Sequence, residues 1–109
     1  MQPIEVENID VVIIGGGPSG LSAAITLRKL GVDKVVVLER EPEAGGIPRH
    51  CGHPPFGLRE YGRLYTGPAY ARKNVAQALK AGVQIRVKHS VTQMGEGGRL
   101  ELFSPEGAR

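Results

Sequence analysis

The first apolar run, Ile9-Asp10-Val11-Val12-Ile13-Ile14, is β-branched and apolar on both faces. That pattern predicts a central parallel strand covered on both sides. Glycines follow at once, and Pro18-Ser19 opens a helical stretch to about Leu30. Leu21, Ala24, Ile25 and Leu27 recur at helical spacing and are expected to face the sheet. Arg28 and Lys29 suit the negative end of the helix dipole, and Gly31 is placed to end the helix. Lys34 to Leu38 predicts a second buried strand. Strand, helix and strand fit within about 30 residues, the size of a βαβ unit.

Residues 40–66 are rich in glycine and proline and predict a long loop. Gly67-Pro68 then starts a helix to about Ala81, with Pro at its first position and Gly82 after its end. Val75, Ala78 and Leu79 are expected to form its apolar stripe. Val83, Ile85 and Val87 alternate as in a third strand. Val91 to Met94 and Leu100 to Phe103 flank Glu96-Gly97-Gly98, a hairpin turn. Ser104-Pro105-Glu106-Gly107 predicts another turn. The expected fold class is α/β. A Rossmann-like parallel βαβαβ half-sheet in order 3-2-1 carries a C-terminal antiparallel β-hairpin, all in one domain over residues 1–109.

Composition narrows the function classes. The net charge is +3, but Lys and Arg are interleaved with Glu, so the basic face of a nucleic-acid binder is missing. The chain has one cysteine, Cys51, which excludes an intrachain disulfide. No apolar run is long enough for a membrane span, and Met1 to Asp10 lacks the pattern of a signal peptide. A cytoplasmic location is the expectation.

The chemistry is concentrated in the glycine loop. Gly15, Gly17 and Gly20 satisfy G-x-G-x-x-G. Alone that spacing is weak. Here it follows a buried strand, opens a helix, and meets Glu39 at the end of the next strand. Gly15 suits a tight turn, Gly17 a close approach of phosphate to backbone, and Gly20 close helix–strand packing. Pro18 and Ser19 begin the helix, whose free N–H groups attract phosphate. The Glu39 carboxylate can accept ribose hydroxyls and would repel a 2′-phosphate. FAD and NAD both present such an ADP moiety, so the loop alone leaves both open.

Val11-Val12-Ile13-Ile14-Gly15-Gly16-Gly17-Pro18-Ser19-Gly20-Leu21-Ser22-Ala23-Ala24 resembles the FAD fingerprint of the pyridine nucleotide–disulfide oxidoreductase-like flavoproteins. In that family a second glycine pair follows the ribose-binding acid, as Gly45-Gly46 follows Glu39 here. The stretches from Gly46 to His53 and from Gly67 to Arg72 look like the FAD subunits of multi-subunit amino-acid and amine dehydrogenases, the opine oxidase and hydrogen cyanide synthase relatives. The resemblance implies that Gly15, Gly17, Pro18, Ser19 and Gly20 surround the FAD pyrophosphate. It implies that Glu39 holds the ribose, Arg40 flanks the adenine, Gly45 and Gly46 pass close to the cofactor, and Val91 offers backbone to the adenine. The disulfide reductases carry paired redox cysteines. Cys51 stands alone, so redox work falls to the flavin.

His50-Cys51-Gly52-His53 invites a metal reading, but a fourth ligand is hard to place, and no metal is expected. Arg49 or His50 near the cofactor competes with exposed loop charge, and the three tyrosines are expected to be packing residues. A dinucleotide-binding sheet needs a strand on the far side of strand one. None remains in this sequence, so the FAD/NAD(P)-binding domain is expected to be incomplete. The Val11–Ile14 edge should then pair with another protein chain or a second copy, FAD should bind weakly, and the isolated chain should lack turnover. Two other readings stay open: a non-catalytic NAD- or ADP-binding module, and an interaction subunit with an empty loop.

Overall fold

A computed structural model describes residues 6–46, 67–104 and 107–108. Three parallel strands form one sheet: β1 (Val11–Ile14), β2 (Val35–Leu38) and β3 (Gln84–Arg86), in order β1-β2-β3. Helix α1 (Pro18–Lys29) connects the first two, and helix α2 (Gly67–Lys80) precedes the third. A second, antiparallel sheet holds β4 (Ser90–Met94), β5 (Leu100–Ser104) and β6 (Gly107–Ala108). The expected half-sheet order is therefore observed. The expected hairpin is extended by one short strand, because Phe103 and Ser104 pair with Ala108 and Gly107.

Period-two alternation assigns the faces of the parallel sheet. Val35, Val37 and Val83 pack with Leu21 and Ala24 of α1 and Ala78 of α2, with Ile13 and Ile85 alongside. Both helices therefore cover one face, as right-handed crossovers along a single direction of strand order require. Val36 and Leu38 point to the opposite face and are buried as well. This explains why β2 is apolar at every position.

Three details differ from the sequence expectation. Lys34 lies outside β2, because its N–H donates to the Asp10 carboxylate at 2.9 Å rather than to a neighbouring strand. Leu79 is 55% exposed, and the inward side of α2 is Tyr70, Ala71, Asn74 and Ala78. Leu79 instead borders an apolar groove with Pro42, Ala71 and Val87. In β4, register advances two residues from Val91 to Gln93 against one from Leu102 to Glu101, so Thr92 is a bulge residue.

Two polar clamps tie these elements together. The Arg28 guanidinium donates to the carbonyls of Val32, Asp33 and Ala81, which fastens the end of α1 to the end of α2. Glu7 accepts both terminal nitrogens of Arg86 at 2.8 Å and Lys34 Nζ at 2.6 Å. These hydrogen bonds, the Arg86 pair foremost and the Lys34 bond next, lower the Glu7 carboxyl to about 2 from 4.5. A lowered carboxyl stabilises the fold fully above its unfolded value and ceases to do so as pH falls through the folded value. Glu7→Gln is thus expected to destabilise the chain at neutral pH by less than about 1 kcal/mol, since the cluster is half-exposed. The difference from wild type should shrink below pH 4.5 and vanish near pH 2. Denaturation curves of both proteins across that range check this; a pH-independent difference would refute it.

Candidate functional site

The C-terminal ends of the parallel strands converge on the glycine loop. The β1–β2 pairing continues one residue beyond Ile14, since Gly15 N–H donates to Leu38 C=O at 2.8 Å. The chain then turns sharply at Gly15, whose φ of +106° is strained for any residue with a Cβ. Gly17 is the N-cap of α1 and Pro18 its first residue. The first turn of α1 has no side-chain cap and no acidic residue. Its leading N–H groups are therefore available to an anion.

The three fingerprint glycines meet different surroundings. A Cβ on Gly20 would lie 2.3 Å from the Gly15 carbonyl oxygen and 3.3 Å from Ile13 Cγ2, so this position needs glycine for helix–strand contact. Gly15 needs it for its backbone angle. Gly17 needs it for neither reason: its φ is −78°, and among the described residues a Cβ there would reach only Gly46 Cα, at an ordinary 3.8 Å.

Glu39 follows β2 and is half-buried under the loop. Its Oε1 accepts Gly16 N–H at 2.9 Å, and its Oε2 accepts Glu41 N–H at 3.0 Å. Its backbone N–H and C=O pair with Arg86 C=O and His89 N–H. Arg40, beside it, is 80% exposed at its side chain and lies 4.0 Å from the Glu41 carboxylate, a contact that contributes little.

The second glycine pair closes on the first. Gly45 N–H donates to Gly16 C=O at 2.7 Å. A Cβ on Gly45 would lie 2.7 Å from Ala71 Cβ, and one on Gly46 would lie 2.8 Å from Gly17 Cα. The structure thus brings Gly15, Gly17, Pro18, Ser19, Gly20, Glu39, Gly45 and Gly46 into one locality. Val91 lies in β4 paired with Leu102, two residues beyond His89, whose N–H binds Glu39 C=O. Nothing in the residue pattern marked the Lys88–His89 connection as part of this arrangement. Lys88 N–H binds Glu41 C=O, and Lys88 adopts a left-handed φ of +56°, which no residue-type rule flags for lysine. Arg49, His50, Cys51 and His53 lie outside the described residues, as do Tyr61 and Tyr65, while Tyr70 is buried in α2. Among the described residues no cluster of ligating side chains could hold a metal ion.

A groove of about 1290 Å³ runs between α1 and α2, lined by residues such as Ser22, Thr26, Lys73 and Gln77. It touches the loop only through Pro18 and Ser19, and none of the polar network around Glu39 reaches it. The glycine loop and Glu39 lie at the strand ends instead. Among the described residues no helix is long and apolar enough to cross a membrane.

Comparison with known proteins places this geometry. Residues 10–52 match a family model described as an FAD binding domain. The NAD-dependent dihydropyrimidine dehydrogenase subunit PreT of Salmonella typhimurium is 37% identical over 92 residues, 84% of this chain and 19% of that protein. The chain therefore spans about a fifth of the length of the curated relatives it matches first. A thioredoxin reductase from Gloeobacter violaceus superposes with a TM-score of 0.70 at 26% identity, covering 92% of this chain and 33% of that one. A hydroxylase crystallised as a ternary complex with FAD and aklavinone gives a TM-score of 0.68 over 97% of this chain and 31% of its own. At 19% identity that likeness shows the fold alone. A parallel sheet in this order, a glycine loop at its strand ends and a matched FAD-binding model over that loop agree, and the chain carries an FAD-binding domain similar to those of FAD-dependent oxidoreductases.

Proposed function

We propose that this chain holds the ADP half of FAD in a flavin-dependent oxidoreductase, with the pyrophosphate over the loop from Gly15 to Gly20. The observation that carries this reading is Gly17. The described residues give no steric or conformational reason for glycine there, and a ligand approaching from outside accounts for the missing Cβ. The uncapped first turn of α1 behind Pro18 and Ser19 supplies N–H groups and a positive dipole end to the phosphates.

Each Glu39 oxygen already accepts one backbone N–H and keeps a second lone pair for a ribose hydroxyl. Gly45 and Gly46 bring backbone against the loop without side chains in the way. Arg40, exposed beside Glu39, is free to lie along the adenine, and Val91 offers backbone near the same end. The residues present fit the cofactor. Bound FAD supplies the redox chemistry, and these residues bind and orient it.

The parent protein is read as an amine- or amino-acid-dehydrogenase-like, or NAD(P)-linked, enzyme. The subunit naming of the Salmonella relative supports a multi-subunit setting. Substrate turnover is assigned to parts of such a protein other than this domain. Among the described residues β1 pairs only with β2, and Ile14 at its end is 58% exposed. A further strand, from another chain or a second copy, is proposed to pair along Val11–Ile14.

Thermal melting with FAD, NAD and ADP tests the ligand. Free FAD at a hundred times its Kd should stabilise the chain by about 2.7 kcal/mol, with ADP and NAD acting only at higher concentration. A melting temperature indifferent to all three would leave the interaction-subunit reading in place of this one.

A further inference from the structure

Both oxygens of the Glu39 carboxylate accept backbone amides from two different segments, Gly16 in the glycine loop and Glu41 after β2. Gly16 in turn accepts from Gly45, while Glu39 and Glu41 accept from His89 and Lys88. Four segments thus meet through one side chain and its neighbouring backbone: the glycine loop, the end of β2, the second glycine pair and the β3–β4 connection. Through Gly16 N–H the Glu39 carboxylate grips the loop between β1 and α1 directly.

From this we infer that Glu39 is a positioning residue for the phosphate site, beyond any contact with ribose. By fixing Gly16 it sets the path of the loop into Gly17, and so the direction in which the first α1 amides face. The inference rests on the proposed reading of the loop as a phosphate cradle. A carboxylate is suited to the task because it accepts on both oxygens. A glutamine in its place keeps one acceptor and turns an NH2 group toward the second N–H.

Inorganic pyrophosphate, which has no ribose, separates the two roles. If Glu39 serves ribose alone, Glu39→Ala removes a negative charge near the anion and pyrophosphate binds equally or more tightly. If Glu39 positions the loop, Glu39→Ala weakens pyrophosphate by about tenfold despite the lost repulsion, and Glu39→Gln falls between the two. Amide exchange of the ligand-free 109-residue chain gives a second readout. Gly16 and Glu41 should exchange about tenfold faster in Glu39→Ala, with Val36 and Val37 unchanged as the folding control. Should the alanine variant fail to fold, the glutamine variant carries both measurements. Unchanged Gly16 exchange, or faster exchange with undiminished pyrophosphate affinity, overturns the inference. Wild-type chain that ignores pyrophosphate sinks the cradle reading, and Gly16 exchange then still decides whether the carboxylate grips the loop.

Discussion

Gly20→Ala is expected to destabilise the chain by about 3 kcal/mol, and to abolish the response to FAD along with the fold that supports it. Helix propensity alone predicts the opposite sign, since alanine is better than glycine inside a helix by about 1 kcal/mol. The difference comes from one contact. The new methyl group would sit 2.3 Å from the Gly15 carbonyl oxygen, which is backbone and cannot swing aside, and 3.3 Å from Ile13 Cγ2. Relief requires α1 to move off β1. That movement would loosen Leu21 and Ala24 from Val35 and Val37, the centre of the core. Chemical denaturation measures the loss. A variant as stable as wild type would mean that α1 does not approach β1 as closely as the structure places it.

The parallel half-sheet was legible because its signals are local and agree with one another. A β-branched run, a glycine cluster, a proline at the first helical turn and a second β-branched run each specify the same βαβ unit. The apolar side of α2 was less legible. Val75, Ala78 and Leu79 all satisfy a helical stripe, yet the inward direction is set by which residues meet β3 and the Ala44–Gly46 turn. Ala71 is drawn in because Gly45 packs against it without a Cβ, while Leu79 is left to border the groove. Sequence spacing does not contain that tertiary choice. The bulge at Thr92 has the same origin, since nothing local to Val91–Met94 fixes its register with β5.

The site divides in a similar way. Its residue types and spacing announced the glycine loop and the acidic residue after β2. The second glycine pair came from family resemblance, and the structure adds its reason: Gly45 and Gly46 lie against Ala71 and Gly17 with no room for a side chain. The two amides gripped by Glu39 were not legible. A carboxylate at a strand end gives no sequence sign of whether its oxygens face solvent, ribose or the neighbouring loop.

Gly17→Asp should separate ligand binding from folding most sharply. Gly17 occupies the N-cap of α1, where aspartate is at least as favourable as glycine, and a carboxylate there also suits the helix dipole by about 0.3–1 kcal/mol. The described residues leave room for it, since among them a Cβ at this position meets nothing closer than Gly46 Cα at 3.8 Å. Stability in the absence of ligand should therefore match or slightly exceed wild type. The same carboxylate would occupy the space assigned to the pyrophosphate and oppose its charge. FAD affinity should fall by more than about a hundredfold, a loss of roughly 2.7 kcal/mol or more, so the stabilisation seen with wild type disappears. Melting curves with and without FAD measure both effects on one sample. A Gly17→Asp chain that still gains stability from FAD would place the phosphates elsewhere, and the glycine at position 17 would then need another cause.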